Sequence, residues 1–130
     1  MIGNSLALDT NIAVQVLKDA RDVLEWLSGF AELFLPVIVI GELRYGAMNS
    51  ARSAANLARV DALASRCRQL LVDASTADVY AQVRLALKRR GSPIPENDVR
   101  IAAQCVQHAL PLATLDRHFA AVDGLAVIQP

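Results

Sequence analysis

Four acidic residues, Asp9, Glu42, Asp98 and Asp116, stand where a solvated carboxylate is least expected. Asp9 closes the apolar run Leu6-Ala7-Leu8; taken alone it is equally a turn aspartate or a helix N-cap. Glu42 lies in Val39-Ile40-Gly41-Glu42-Leu43-Arg44-Tyr45-Gly46, and on a helix its neighbours Ile38, Tyr45 and Gly46 are apolar or small. Asp98 begins the buried stripe Ile101, Ala102, Cys105 and Ala109, with an N-cap at Asn97 or Asp98 as the alternative. Asp116, in Ala113-Thr114-Leu115-Asp116-Arg117-His118-Phe119, is either a cap or a fourth member of the set. Two carboxylates about 4 Å apart repel by roughly 4 kcal/mol at an effective dielectric of about 20, so four in one cleft call for a cation. Oxygen ligands without paired His or Cys favour Mg²⁺ or Mn²⁺ over zinc. One or two such ions polarise a phosphodiester, lower the pKa of an attacking water and stabilise the leaving oxygen. Spacing by itself does not bring the four residues together.

The elements that must do so are short. Ser5–Leu8 reads as a buried strand, Thr10 to about Leu17 as a helix, and Asp19–Phe30 as a second, amphipathic helix. Leu33–Leu35 is a second strand stopped by Pro36. Val37–Ile40 has the β-branching of a strand, whereas Gly41–Asn49 reads as helix. Arg52–Arg68 is a helix with Leu57, Val60, Leu63 and Ala64 on one face; Gln69–Val72 is a third strand. Thr76–Arg90 is a helix closed by Gly91. Pro93 and Pro95 mark a loop, and Asn97 or Asp98 opens a helix to about Ala109. Leu112–Thr114 is a fourth strand, Asp116–Ala120 a helical turn, and Leu125–Ile128 a fifth strand beyond the Asp123-Gly124 turn. Short apolar strands alternating with helices predict an α/β fold, a three-layer α/β/α arrangement around a mostly parallel sheet of four or five strands. Ligands of such sheets gather outside the carboxyl ends of the strands, near the reversal of strand order. Asp9 and Asp116 follow strands as that rule demands.

Leu8-Asp9-Thr10-Asn11, Gly41-Glu42-Leu43-Arg44-Tyr45-Gly46, Asn97-Asp98-Val99-Arg100-Ile101-Ala102-Ala103 and Thr114-Leu115-Asp116-Arg117-His118-Phe119 resemble the successive motifs of PIN-domain proteins. Their order and the chain length resemble VapC-type toxins over essentially the whole chain, 1–130, as one domain. The resemblance implies a Mg²⁺- or Mn²⁺-dependent endoribonuclease that hydrolyses RNA. It carries metal ligation onto Asp9, Glu42, Asp98 and Asp116, the last of which acts directly or through water. Asn11 and Thr114 would orient the carboxylates or the attacking water. It also implies a homodimer and a cognate VapB-like antitoxin whose C-terminal segment covers the cleft. It favours helix over strand for Val37–Asn49. Val99-Arg100 departs from the family pattern, in which an aromatic residue often follows Asp98.

Arg44 and Arg117 are candidate substrate contacts, with surface arginine as the plain alternative; His118 is a further candidate for phosphate. Lys88-Arg89-Arg90 suits a helix C-terminus without any RNA. A zinc site from Cys105, His108 and His118 lacks a fourth ligand. No GxxxxGK[ST], GxGxxG or GxSxG occurs. Receiver domains and haloacid-dehalogenase-type phosphatases also place an aspartate early, but they need a lysine late in the chain, and none follows Lys88. Two other readings remain: a non-catalytic binding module on the PIN scaffold, and a PIN nuclease acting on structured DNA.

With 54% hydrophobic and 20% charged residues among 130, the chain can form one core and shows no sign of disorder. Thirteen basic residues balance thirteen acidic ones, so bulk charge does not recruit nucleic acid. Two cysteines without CxxC spacing fit a reducing compartment. The N-terminus lacks the basic start of a signal peptide, and no run reaches the roughly 20 apolar residues of a membrane helix. A cytoplasmic protein without membrane association is expected.

Overall fold

The computed structural model describes residues 4–130; the part of the signal-peptide argument that rests on residues 1–3 lies outside them. Five strands form one sheet in the order β3-β2-β1-β4-β5, every pairing parallel. β1 (Ser5–Leu8) is central, which explains its unbroken burial: both faces are covered. β2 (Glu32–Pro36) and β3 (Arg68–Leu70) extend the sheet on one side, β4 (Leu112–Ala113) and β5 (Val127–Ile128) on the other. Strand order therefore reverses beside β1, and the carboxyl ends of β1 and β4 meet at that point, with Leu8 paired to Ala113.

Among the described residues six α-helices flank the sheet: α1 (Thr10–Leu17), α2 (Arg21–Leu27), α3 (Val37–Met48), α4 (Ser53–Arg66), α5 (Ala74–Arg89) and α6 (Glu96–Gln107). α1, α3 and α4 pack together, α5 lies along α6, and α3 also touches α6. Leu6, Leu8, Ile12, Leu35, Val39, Ile101, Leu112 and Phe119 are wholly buried between the layers. No helix among the described residues is long and apolar enough to cross a membrane.

Several boundaries differ from the sequence expectation. Val37–Ile40, which local pattern left between strand and helix, opens α3 as the family resemblance favoured. Val39, Leu43 and Ala47 are buried at four-residue intervals, and that helical burial outweighs β-branching. The third strand ends at Leu70, leaving Leu71 and Val72 exposed. α4 stops at Arg66, because Arg68 pairs with Phe34 in the sheet. α5 starts earlier than expected, at Ala74, where Asp73 and Thr76 form a reciprocal capping box. α6 begins at Glu96 after Pro95, so neither Asn97 nor Asp98 is the cap. Leu125 lies outside β5.

Candidate active site

Asp9 sits at the carboxyl end of β1 and is 4% exposed. It is the N-cap of α1, but both of its oxygens are fixed. The Thr10 amide donates to Oδ1 at 2.8 Å, and the Thr114 hydroxyl, just past β4, donates to Oδ2 at 2.6 Å. Thr114 in turn accepts from the Asp116 amide at 3.0 Å and from Asn11 Nδ2 at 3.4 Å. Asn11 also accepts from the Leu115 amide at 3.1 Å, which ties the first turn of α1 to the segment after β4.

Glu42 enters from the middle of α3, and its Oε1 accepts from Thr10 Oγ1 at 2.6 Å. Its Oε2 accepts from Asn97 Nδ2 at 3.4 Å. Asp98, in the first turn of α6, points inward with its side chain 16% exposed. It contacts His118 Nε2, while His118 Nδ1 lies 2.9 Å from Asp116 Oδ1. A closed ring results, running Asp9, Thr10, Glu42, Asn97 and Asp98, His118, Asp116, Thr114 and back to Asp9. All four sequence-predicted carboxylates and Thr114 belong to it, and Asn11 braces it through Thr114 and the Leu115 amide.

Its electrostatics are unbalanced. Burial pushes the Asp9 carboxyl up; the Thr114 and Thr10 hydrogen bonds oppose this, and the charges of Asp98 and Glu42 add to it. Asp98 is also raised by burial, against the pull of His118 and with the push of Asp116 and Glu42. Among the described residues, no Lys or Arg pairs with any of the four; only His118 does. Both ring nitrogens of His118 face carboxylate oxygens. Donor atoms of Asp98, Asp116 and His118 lie within 4.8 Å of one another. At that separation, two bare carboxylate charges cost about 3–4 kcal/mol at an effective dielectric of about 20. An oxygen-rich donor set with uncompensated negative charge fits a hard divalent cation, and the added imidazole is compatible with Mn²⁺.

The substrate-contact candidates fall outside the ring. Arg44 is paired with Asp61 of α4. Arg117 is exposed in the 3-10 turn Arg117–Ala121, with no ion pair among the described residues. Of the basic run, Arg90 binds Asp123 and the Ala121 carbonyl, each at 2.8 Å, and so fastens the segment that carries His118. Cys105 is buried in the core and His108 is exposed at the end of α6, so they form no cluster with His118.

Thr10, Asn97 and the bridging place of His118 were not assigned from sequence. Thr10 and Asn97 each stand beside a predicted acid, which is the signal that was available. The two-sided contact of His118 depends on how the 3-10 turn folds back over α6. A groove of about 360 Å³ between α1, α3 and α4 opens at Thr10 and Glu42. Its floor includes Val14, Leu43 and Val60, and Lys18 and Arg59 also line it.

The PIN-domain family model matches residues 6–125. The Mycobacterium tuberculosis protein Ribonuclease VapC5 is 35% identical over 96 residues, covering 72% of this chain and 70% of that protein. The tRNA(fMet)-specific endonuclease VapC of Shigella flexneri is 32% identical, covering 91% and 92%. The crystal structure of DNA-bound VapBC from Salmonella typhimurium superposes with a TM-score of 0.90 at 28% identity, over 96% of this chain and 97% of that one.

Proposed function

This chain belongs to the PIN-domain family, and on that premise we propose that it is the endoribonuclease toxin of a VapBC-like toxin–antitoxin pair. The carrying observation is the ring: hydrogen bonds and contacts link four carboxylates from four chain segments beside the switch point of the sheet, and His118 touches Asp98 and Asp116. The names of the Mycobacterium and Shigella relatives support RNA as the substrate.

In this reading Asp9, Glu42, Asp98 and Asp116 hold Mg²⁺ or Mn²⁺. When bound, the cation supplies Lewis acidity toward a phosphodiester oxygen and a lowered pKa for the attacking water. The protein's own contribution is placement. Thr114 and the Thr10 amide fix both Asp9 oxygens, so this ligand loses little freedom on binding. Asn11 locks α1 to the segment bearing Asp116, which keeps Asp9 and Asp116 in register. His118, in contact with Asp98 and Asp116, holds these two ligands beside each other.

Relatives solved as VapBC complexes support a VapB-like antitoxin as partner. The groove beginning at Glu42 is the surface assigned to it, because an occupant there would cover one wall of the acidic site. A homodimer is part of the same proposal: Tyr45 and Met48, 70% and 64% exposed on α3, supply apolar surface for a second copy.

Antitoxin-free protein is to be incubated with total RNA, and with DNA in parallel, under Mg²⁺, Mn²⁺ or EDTA, and new 5′ ends mapped. Cuts in RNA that vanish with EDTA are expected. Asp9→Asn and Asp98→Asn should each abolish them while preserving the circular dichroism spectrum. RNA cleavage that persists in EDTA removes the metal from the mechanism. Folded protein that binds no Mn²⁺ and cuts neither polymer leaves a non-catalytic binding module, and cuts confined to DNA reassign the substrate.

A further inference from the structure

Glu42 reaches the site differently from the other three acids. Asp9 is pinned at a strand end by a backbone amide and a buried hydroxyl. Glu42 extends from the middle of α3 on a longer side chain, with one more rotatable bond than aspartate. Asp9 and Asp98 crowd it with like charge, which favours rotamers that swing it toward solvent. Two neutral donors oppose that motion. Thr10 Oγ1 takes Oε1 at 2.6 Å, and Asn97 Nδ2 takes Oε2 at 3.4 Å. Each oxygen has one donor, and neither donor brings the positive charge that would compete with a cation.

An asparagine amide can face either way. Here Arg100 Nη1 donates to Asn97 Oδ1 at 3.1 Å, which leaves the NH₂ group for Glu42. Arg100 is steadied by Glu96 at 3.8 Å, and Glu96 is gripped by Arg84 of α5 at 3.1 Å. Asn97 does not cap α6, so its side chain is free for this contact.

We infer that Thr10 and Asn97 are the positioning residues for Glu42, with Arg100 setting the orientation of the Asn97 amide. The inference rests on the metal-nuclease reading above. It gives Asn97 a role in metal affinity and none in holding the fold, because that residue is exposed. Donors that orient ligands in this way typically contribute 10–100-fold in metal affinity.

The test measures Mn²⁺ affinity of antitoxin-free protein by titration with electron paramagnetic resonance, beside the urea midpoint in EDTA and RNA cleavage against Mn²⁺ concentration. Asn97→Ala and Thr10→Val are expected to bind Mn²⁺ about 10–100-fold more weakly. The EDTA midpoint of Asn97→Ala should stay at the wild-type value, and saturating Mn²⁺ should restore most of its rate. Thr10→Ser, which keeps the hydroxyl, should bind like wild type. Arg100→Met should weaken binding alone but add nothing to Asn97→Ala, the non-additivity of a shared contact. Wild-type Mn²⁺ affinity in Asn97→Ala and Thr10→Val overturns the positioning role while leaving the metal reading intact. Additive loss from Arg100→Met overturns the role given to that residue. A wild-type protein that binds no Mn²⁺ overturns the metal reading, and the positioning role with it.

Discussion

Replacing Thr114 by valine tests whether the ring is held by hydrogen bonds or by packing. Thr114 is wholly buried, and valine reproduces its shape, so no cavity forms. What disappears is one oxygen that donates to Asp9 Oδ2 at 2.6 Å and accepts from the Asp116 amide at 3.0 Å. A hydrogen bond to a buried carboxylate contributes roughly 1.5–3 kcal/mol, and an orphaned amide adds about 1 kcal/mol. The expected destabilisation is about 2–4 kcal/mol. At a melting entropy of about 2.1 cal/mol/K per residue, a chain of this length loses stability near 0.27 kcal/mol per degree, so Tm should fall by about 7–15 °C. Thr114→Ser keeps the oxygen and deletes one buried methyl, a cost of about 1 kcal/mol. Packing ranks valine above serine; the hydrogen-bond account ranks serine above valine. Urea unfolding in EDTA, followed by circular dichroism, decides between them. A valine variant within about 0.5 kcal/mol of wild type, or more stable than the serine variant, refutes the reasoning.

Asp9 and Asp98 are raised in the folded protein, so the native state binds more protons than the unfolded chain above the ordinary carboxylate range. Metal-free protein should therefore gain stability as pH falls from neutral toward those raised values and lose it as pH rises through them. Asp9→Asn or Asp98→Asn should flatten the slope, read as the urea midpoint against pH in EDTA; an unchanged slope in both variants denies the raised carboxyls. Asp73 and Glu96 are shifted the other way, Asp73 by its Gln107 and Thr76 hydrogen bonds and Glu96 by Tyr80, so their contribution is lost only at more acidic pH. Ala109 follows α6 at φ 53°, a left-handed position that glycine occupies without strain. Ala109→Gly should stabilise by on the order of 0.5 kcal/mol, and a lower urea midpoint would contradict this. Burial pushes both thiols above their ordinary range, but Cys105 is wholly buried and Cys67 partly exposed, so a thiol reagent should label Cys67 in native protein and reach Cys105 only after unfolding. Rapid native labelling of Cys105 would show that the core opens readily.

The sequence by itself determined the alternation of short apolar strands with helices, because burial on both sides of a parallel sheet leaves continuous apolar runs such as Ser5–Leu8. It also marked the four carboxylates, since an acid at a strand end or at the head of an apolar stripe is conspicuous against residues that face water. Local pattern left Val37–Ile40 between strand and helix; its β-branched residues form a helix because tertiary burial of Val39, Leu43 and Ala47 overrides intrinsic preference. It also offered Asn97 or Asp98 as the cap, a place that Pro95 takes in the structure. Only the tertiary structure decided which side chains meet across the sheet. Thr114 reaches Asp9 over 105 positions of sequence because β1 and β4 are neighbours, and Thr10 reaches Glu42 because α1 packs on α3. The same holds for His118, placed between Asp98 and Asp116 by a turn that Phe119 anchors in the core. Such contacts depend on strand order and helix docking, which periodicity along the chain does not encode, while residue type and burial pattern are local enough to be read directly.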